Sequence, residues 1–406
     1  IVVAAAQAGK HILCEKPISL SAAQAEGIID AARRNGVHLM EAYMYRCHPQ
    51  TAKLVELIQN GAIGELRLIE AVFGFNAPVG TDHRLLANEL GGGGILDIGG
   101  YTTSMARLLA GAALGKPFAN PNDLHATGHV GQTGVDEYTT AVLRFDHDIV
   151  AQCSCSVQLN QNNGLRLYGS EGSIDVPQPW IPNAEPGSVT ITLNKQGSEP
   201  EQLEIESDTP LYGLEADVIA RRLPETEPAN PAMTWGDTLG NMQTLDRWRK
   251  ALGVSYKAET PEGFTGPLHG GKLTKPDTPE LPQTRITGLD KPVSRLFLGT
   301  AGQNSFDRLA VLSDAWYEAG GTGWDMAYVY GPSGGVLGDW IKSRNVRDDV
   351  VILGKAAHTP ECTPEGLNRE LDELLERMGV DYIDIFCLHR DNMAVPVTEF
   401  IDALDE

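Results

Sequence analysis

The stretch AGKHILCEKPISLS, residues 8–21, decides how the first half of this chain is read. His11-Ile12-Leu13-Cys14 is a short apolar run of the kind that forms a strand in a parallel sheet. It ends at Glu15-Lys16-Pro17. Proline locks the backbone and brings no N–H, so the strand stops with a lysine at its carboxyl end. Ser21 and Gln24 form a capping-box start for a helix, with Ala25, Ile28, Ile29 and Ala32 at helical spacing and Gly36 as the stop. VHLMEAYMYR (37–46) then reads as a second strand. Strand, helix, strand in this order is the end of a doubly wound parallel sheet. Such sheets bind ligands outside the carboxyl ends of their strands, where Lys16 would lie. A surface lysine at a turn is the plainer alternative. Ile1-Val-Val-Ala-Ala-Ala, immediately before, reads as the tail of a helix whose beginning is absent.

The 406 residues are enough for two or three domains. A formal charge of −22 argues against a nucleic-acid partner, since phosphate binding needs a basic face. No window reaches 18 uninterrupted apolar residues, which argues against a membrane span. Six cysteines are scattered at 14, 47, 153, 155, 362 and 387. Cys153 and Cys155 share a strand face with Ala151 and Val157, and no second ligand pair follows at zinc spacing. They read as core residues, and no metal is expected. Unpaired thiols and the lack of a secretion signal point to the cytoplasm.

From Val254 to Val293 periodicity gives way to prolines at 261, 267, 276, 279, 282 and 292, which reads as an exposed, semi-rigid linker. Before it, a helix at 50–59, the strand ELRLIEAVFGF (65–75), the run GGGGILDIGG (91–100) and an apolar helix through Leu109 lead into alternating strands between 123 and 176. After it, the strands SRLFLGT, GWDMAYVY, VVILGKA and YIDIFCLH alternate with helices near 306–319, 334–343, 364–378 and 396–405. Strict βα alternation with apolar strands predicts half of a (β/α)₈ barrel. The expected layout is a Rossmann-type remnant (1–45), an α+β open-sheet domain (46–252), the linker (253–289) and the half barrel (290–406), with the chain truncated at both ends.

Two constellations carry chemistry. In the first, the glycine run permits close backbone approach, and Asp97 and Tyr101 stand four apart on one helical face. With Lys16 they form a proton-transfer set, or else an acidic helix start and a half-buried tyrosine. Arg46 and His48, on alternate strand positions, would line the same cleft as substrate-binding residues, unless Arg46 pairs with a carboxylate. In the second, Asp325, Tyr330, Lys355 and His389 stand at the exits of three successive strands, where barrel active sites are built. Taken singly, Lys355 also reads as a snorkelling side chain and His389 as a hydrogen-bonded core histidine.

On AGKHILCEKP, EAYMYRCHP, GAIGELRLIEAVFGF, LGGGGILDIGGY and LYGSEGSIDVPQPW, residues 1 to about 252 resemble the Gfo/Idh/MocA family of NAD(P)-dependent dehydrogenases. The resemblance implies that Lys16, Asp97 and Tyr101 are catalytic, Tyr101 donating or accepting the proton with Lys16 helping. Tyrosine at 101, where many members have histidine, matches the dihydrodiol dehydrogenase and glucose–fructose oxidoreductase branch. The family's G-x-G-x-x-G fingerprint is not in this sequence; it would belong to a preceding βαβαβ stretch of roughly 70–90 residues. On VSRLFLGT, DMAYVYG, VLGDWI, VVILGK, ELLERMGVDYIDIFCLH and PVTEFIDAL, residues 290–406 resemble the N-terminal half of the aldo-keto reductases. That resemblance implies Tyr330 as acid, Lys355 as the cation that lowers its pKa, Asp325 as anchor and His389 as carbonyl binder. Met326 and Ser333-Gly334-Gly335 depart from the usual pattern.

Together the resemblances imply cofactor contacts from Glu15, Lys16 and Pro17 in the first module and from Gly299 and Thr300 in the second. The cofactor implied is NAD(P), NADP ahead of NAD. The expected function is a bifunctional oxidoreductase fusion acting on a small carbonyl or sugar-like polyol substrate, forming homo-oligomers through the open sheet. The alternative is a non-catalytic module for oligomerisation or carbohydrate binding. Gln158, Asn160 and Asn162 fit any hydroxylated ligand, so the substrate stays open.

Overall fold

A computed structural model describes residues 1–223 and 225–405 and divides the chain into two units, Ile1–Lys257 and Ala258–Glu406. In the first unit, α1 (Val2–Gln7) leads into β1 (Ile12–Glu15), which pairs in parallel with β2 (Leu39–Ala42), Cys14 opposite Glu41. Between them runs α2 (Ala22–Arg34). The Ser21 hydroxyl accepts the Gln24 N–H, and Ala25, Ile28, Ile29 and Ala32 are its buried face. Local punctuation and period were sufficient here because every group involved lies within one helical turn of its partner.

The strand expected at 37–46 is shorter. After Ala42 the chain turns into a 3₁₀ segment, Met44–Cys47, and His48 caps α3 (Pro49–Gln59) by accepting the Gln50 N–H. There follow β3 (Leu66–Gly74), α4 (Gly100–Ala113), β4 (Asp123–Val130), β5 (Asp136–Arg144), β6 (Val150–Ser156), β7 (Gly164–Gly169), β8 (Gly172–Val176), β9 (Gly187–Lys195) and β10 (Glu201–Ser207). They form one eight-stranded sheet in the order β10-β9-β8-β7-β3-β6-β5-β4. Its β3–β6 pairing is parallel and all the others are antiparallel. Helix α4 packs on β3 and β6 over Ala71, Ala151 and Cys153, all fully buried. After α5 (Leu211–Arg222), α6 (Trp235–Leu252) packs against α2, α4 and β4 and so ties the parallel pair to the large sheet. Cys153 and Cys155 lie in this core, and all six cysteines are unpaired. Among the described residues, no helix is long and apolar enough to cross a membrane.

The second unit opens with a β11 (Gln283–Thr284) and β12 (Val293–Ser294) hairpin. Four parallel strands follow in sequential order: β13 (Phe297–Gly299), β14 (Gly323–Ala327), β15 (Val351–Ala356) and β16 (Ile385–Leu388). They alternate with α7 (Phe306–Glu318), α8 (Ser333–Arg344), α9 (Pro364–Met378) and α10 (Val397–Asp405). The core centres on Trp324 and Trp340, fully buried with ring centroids 4.9 Å apart. Much of the segment read as an exposed linker packs on this unit. Phe264 is buried against Phe306, its carbonyl accepts the Arg344 Nη1–H at 2.8 Å, and His269 Nε2 lies 2.9 Å from Glu318. Its prolines stop helices without preventing burial, because Phe264, Leu268 and Leu273 supply the apolar contacts.

Candidate active sites

The first site forms where β1 ends. The Lys16–Pro17 peptide is cis, and Lys16 Nζ donates to the Asp97 carbonyl at 2.5 Å and lies 3.6 Å from Asp97 Oδ1. Arg84 Nη1 donates to the same carboxylate oxygen at 3.1 Å. Asp97 sits in a π-helical turn, Ile95–Gly99, that runs directly into α4. Such turns occur mostly as single insertions, often at functional sites. Its start is anchored by Asp136, whose Oδ2 accepts the Ile95 N–H at 2.7 Å. Gly93 adopts φ +112°, and a Cβ there would fall 2.4 Å from Asp136 Oδ1, so the glycine is required both by conformation and by space.

Tyr101 is one turn further on. Lys16 Nζ stands over its ring, 5.1 Å from the centroid, and the Tyr101 hydroxyl donates to Met44 Sδ at 3.5 Å. The ring is stacked on Tyr45 at 5.6 Å and edge-on to Tyr43 and Phe73. Burial, and then the neighbouring phenols and carboxylates, push its pKa well above the ordinary value. Tyr101 is therefore a neutral phenol at physiological pH, and the Lys16 ammonium meets its ring face, with no hydrogen bond to its oxygen.

A cleft of about 520 Å³ opens beside this group, lined among others by Glu15, Lys16, Pro17, Arg84, Gly91 and Asp97. That volume lies within the range of small-molecule sites. Two cations, glycine backbone and the carboxyl end of a parallel strand suit the polar and anionic groups of a dinucleotide. The residues that would cradle its pyrophosphate, G-x-G-x-x-G, are not in the sequence.

Arg46 is corrected. It is fully buried, its Nη2 lies 2.6 Å from Asp237 Oδ2, its Nε donates to the Pro231 carbonyl, and it does not line the cleft. Arg107 meets the other oxygen of Asp237 at 2.5 Å, also fully buried. His48 is likewise buried as the cap of α3, with Asn183 beside it and burial holding its pKa below the ordinary value. Neither residue occupies a strand position, because the chain leaves β2 at Ala42. Two buried carboxyls that the sequence reading passed over lie on the elements that build this site. Glu41, at the end of β2, accepts the Ile18 N–H at 3.0 Å and has its pKa pushed up to about 7 by burial. Glu215, on α5, is raised to about 7 by burial and then by Glu15.

The second site stands at the carboxyl ends of β14, β15 and β16. Lys355 Nζ lies 2.6 Å from Asp325 Oδ1 and donates to the Tyr330 oxygen at 3.0 Å. The Tyr330 hydroxyl lies 3.4 Å from Asp325 Oδ2, and the His389 ring is edge-on to Tyr330 at 6.0 Å. Strand register explains the convergence: Ala327 pairs with Lys355, and Lys355 with Cys387, two residues before His389. Burial alone would lower the Lys355 pKa, but its hydrogen bonds to Asp325 and Tyr330 and their charges carry it above the ordinary value. His389 is lowered, first by burial and then by Lys355 and His358, and is neutral at pH 7.

Thr300 is corrected. It is fully buried, with its N–H and hydroxyl both donating to the Asp325 carbonyl at 3.1 and 2.8 Å, so it braces Asp325 from beneath and has no donor left for a cofactor. Gly299 is exposed, with nothing within 4 Å of where a Cβ would stand.

Three family descriptions match this chain: an oxidoreductase family with an NAD-binding Rossmann fold over residues 1–43, the GFO/IDH/MocA C-terminal domain over 51–175, and the aldo/keto reductase family over 295–406. An uncharacterized oxidoreductase of Rhizobium meliloti is 30% identical over 248 residues, covering 60% of this chain and 71% of that protein. The trans-1,2-dihydrobenzene-1,2-diol dehydrogenase of Mus musculus is 28% identical over 61% of this chain and 72% of its own. The NADP(+)-dependent D-xylose 1-dehydrogenase 2 of Haloferax volcanii is 30% identical over 60% and 71%. Among solved structures, KijD10, a 3-ketoreductase from Actinomadura kijaniata in complex with NADP and TDP-benzene, superposes with a TM-score of 0.53 at 26% identity. The match covers 62% of this chain and 74% of that one. The chain thus belongs to the GFO/IDH/MocA family of NAD(P)-dependent oxidoreductases, and its second unit carries an aldo/keto reductase match.

Proposed function

We propose that this chain is a tandem of two hydride-transfer modules, each acting on carbonyl or hydroxyl groups of a sugar-like or polyol substrate with NADP as the cofactor. The observation that carries the reading is Lys355 Nζ meeting both Asp325 and Tyr330, with the His389 ring edge-on to Tyr330. The cofactor supplies or accepts the hydride; the residues handle the proton and the orientation. Tyr330 gives its proton to the carbonyl oxygen. The Lys355 ammonium, already donating to the phenol oxygen, stabilises the negative charge that develops there. Asp325 positions Lys355, and neutral His389 orients the carbonyl. In the first module Lys16, held by Asp97 and facing the cleft, transfers the proton, with the Tyr101 phenol at its side. The diol, xylose and 3-ketoreductase chemistry named for the relatives supports the substrate class, and the NADP named for two of them supports the cofactor. The outer face of the eight-stranded sheet, with Tyr138, Val142 and Tyr168 partly exposed, is proposed as the contact with a second copy. Sedimentation equilibrium of the wild type against Tyr138→Glu checks that contact, a monomeric wild type ending it.

The deciding measurement is a fluorescence titration of the chain with NADPH and NADH, repeated on Lys16→Ala and Lys355→Met. Saturable NADPH binding that weakens in either variant supports the reading. A chain that binds neither nucleotide, with a native circular-dichroism spectrum, overturns it in favour of a non-catalytic binding or oligomerisation module.

A further inference from the structure

Ala357 is a non-glycine residue in the left-handed region, φ +58°, two positions after Lys355 and fully buried. Such a conformation is unfavourable for an alanine, whose Cβ crowds the following carbonyl oxygen, and it persists only where the surroundings over-determine it. Here two contacts do so. Its N–H donates to Glu370 Oε2 at 2.7 Å, from a glutamate that is itself buried on α9. Its methyl lies in a cluster with Cys362, Leu367 and Phe400, which explains alanine where glycine would adopt the backbone more easily. The outcome of this turn is the placement of the next residue. His358 sits edge-on to His389, ring centroids 4.9 Å apart. His358 Nδ1 lies 2.9 Å from the Thr359 carbonyl, which can only accept, so Nδ1 carries a proton, and in that tautomer of the imidazole Nε2 is the lone-pair nitrogen.

We propose that His358 is a specificity-determining residue of the second site, accepting a hydrogen bond from a hydroxyl on the carbon next to the reacting carbonyl. The inference rests on the reading of that site given above, and it narrows the substrate class to α-hydroxy carbonyl compounds and their vicinal-diol products. The chemistry selects the hydroxyl. A carbonyl oxygen oriented by His389 has nothing to donate to a lone pair, whereas an adjacent O–H does. Nδ1 is already committed to Thr359, so the free edge of the ring is the one that can meet substrate. A site that hydrogen-bonds a hydroxyl discriminates against the analogue that lacks it. A solvent-facing histidine on an ordinary turn would need neither the left-handed alanine nor the buried Glu370 beneath it.

The test follows the histidine ring signals of the whole chain, labelled with nitrogen-15 at histidine, during titration with 1,2-propanediol or 1-propanol. Signals are assigned from His358→Gln and His389→Gln. In the wild type both alcohols should move His389, only the diol should move His358, and the diol should bind about two- to tenfold more tightly, the equivalent of one net hydrogen bond. In His358→Leu that preference should fall to about one, and His358→Gln should retain part of it. Equal affinities in the wild type, with His389 responding and His358 still, overturn the role of His358 and leave the second-site reading standing. The role is equally overturned if His358→Leu abolishes the response of His389 to both alcohols, because the residue is then structural. If neither alcohol moves His389 in the wild type, the second-site reading fails and the inference fails with it.

Discussion

Asp237 is the residue on which the first unit should prove most dependent. It lies in the first turn of α6, fully buried, and one oxygen meets Arg46 at 2.6 Å while the other meets Arg107 at 2.5 Å. Both guanidinium groups are also fully buried. Asp237→Asn keeps the shape but removes the anion, leaving two buried cations that face each other without compensation. Breaking one buried pair costs about 3–5 kcal/mol, and here one carboxylate serves two partners, so the upper end, about 5 kcal/mol, is expected. At roughly 2–4 °C per kcal/mol for a unit of this size, the melting temperature should fall by about 10–20 °C. Arg46→Met should cost less, about 1–3 kcal/mol, because Asp237 keeps Arg107 and a methionine fills the vacated space. Tryptophans occur in both units, so bulk fluorescence would mix two transitions. Hydrogen exchange read by mass spectrometry on peptides of α4 and α6 isolates the first. Asp237→Asn within about 1 kcal/mol of the wild type would refute the reasoning. So would an Arg46→Met variant whose exchange is unchanged, the result expected had Arg46 been a substrate ligand.

Two further outcomes are expected. Glu41, Asp136 and Glu215 are each raised to about 7, burial being the largest cause in every case. A carboxyl raised in the folded state contributes stability that is complete below its unfolded value, near 4, and is lost as pH rises through about 7. His48, lowered by burial, acts the other way, adding stability as pH rises towards the ordinary histidine range. With three groups against one, the urea midpoint of the first unit should fall between pH 5 and 8, and less so in Asp136→Asn; a rising midpoint would sink this account. In the second unit, a Cβ on Gly338 would lie 1.8 Å from the Met378 carbonyl oxygen, which is backbone and cannot turn away. Gly338→Ala should therefore separate α8 from α9 and cost about 1–3 kcal/mol. An exposed helix interior would instead gain about 1 kcal/mol, so a stabilised variant, measured by exchange in α8 and α9 peptides, counts against the contact.

What was legible in the sequence is what neighbouring residues decide between themselves. The β1 strand, its proline stop, the Ser21 cap and the βα rhythm after residue 290 all follow from period and punctuation. The second site was legible because a barrel aligns the carboxyl ends of its strands, so Asp325, Lys355 and His389 converge once the strands are correctly placed. Two of the misreadings share one cause, partners distant in sequence. Arg46 looked like an alternate strand position, but it is drawn out of the strand by Asp237, 191 residues away. Helix α6 went unread because its buried face carries Asp237, Thr238, Asn241 and Thr244, polar groups that erase the apolar period and whose partners are mostly distant in sequence: Arg46 and Arg107, Glu41 and Thr103 for the first three, and only the nearby Gly240 carbonyl for Thr244. The β9–β10 hairpin went unread although VTITL and QLEIE alternate plainly.

Spacing also states which face a residue occupies without saying where its functional atom points. Asp97 and Tyr101 share a face, as four-residue spacing requires. The Tyr101 hydroxyl nevertheless turns to Met44, because Tyr45 and Phe73, arriving from other elements, hold the ring between them. Lys16 has no such enclosure: its partner is the Asp97 carbonyl, and it borders the cleft. Of the two candidate proton carriers that the motif offers, the one that borders the cleft is the one at the end of β1. That position follows from the proline after it, the feature of the chain most plainly readable from the start.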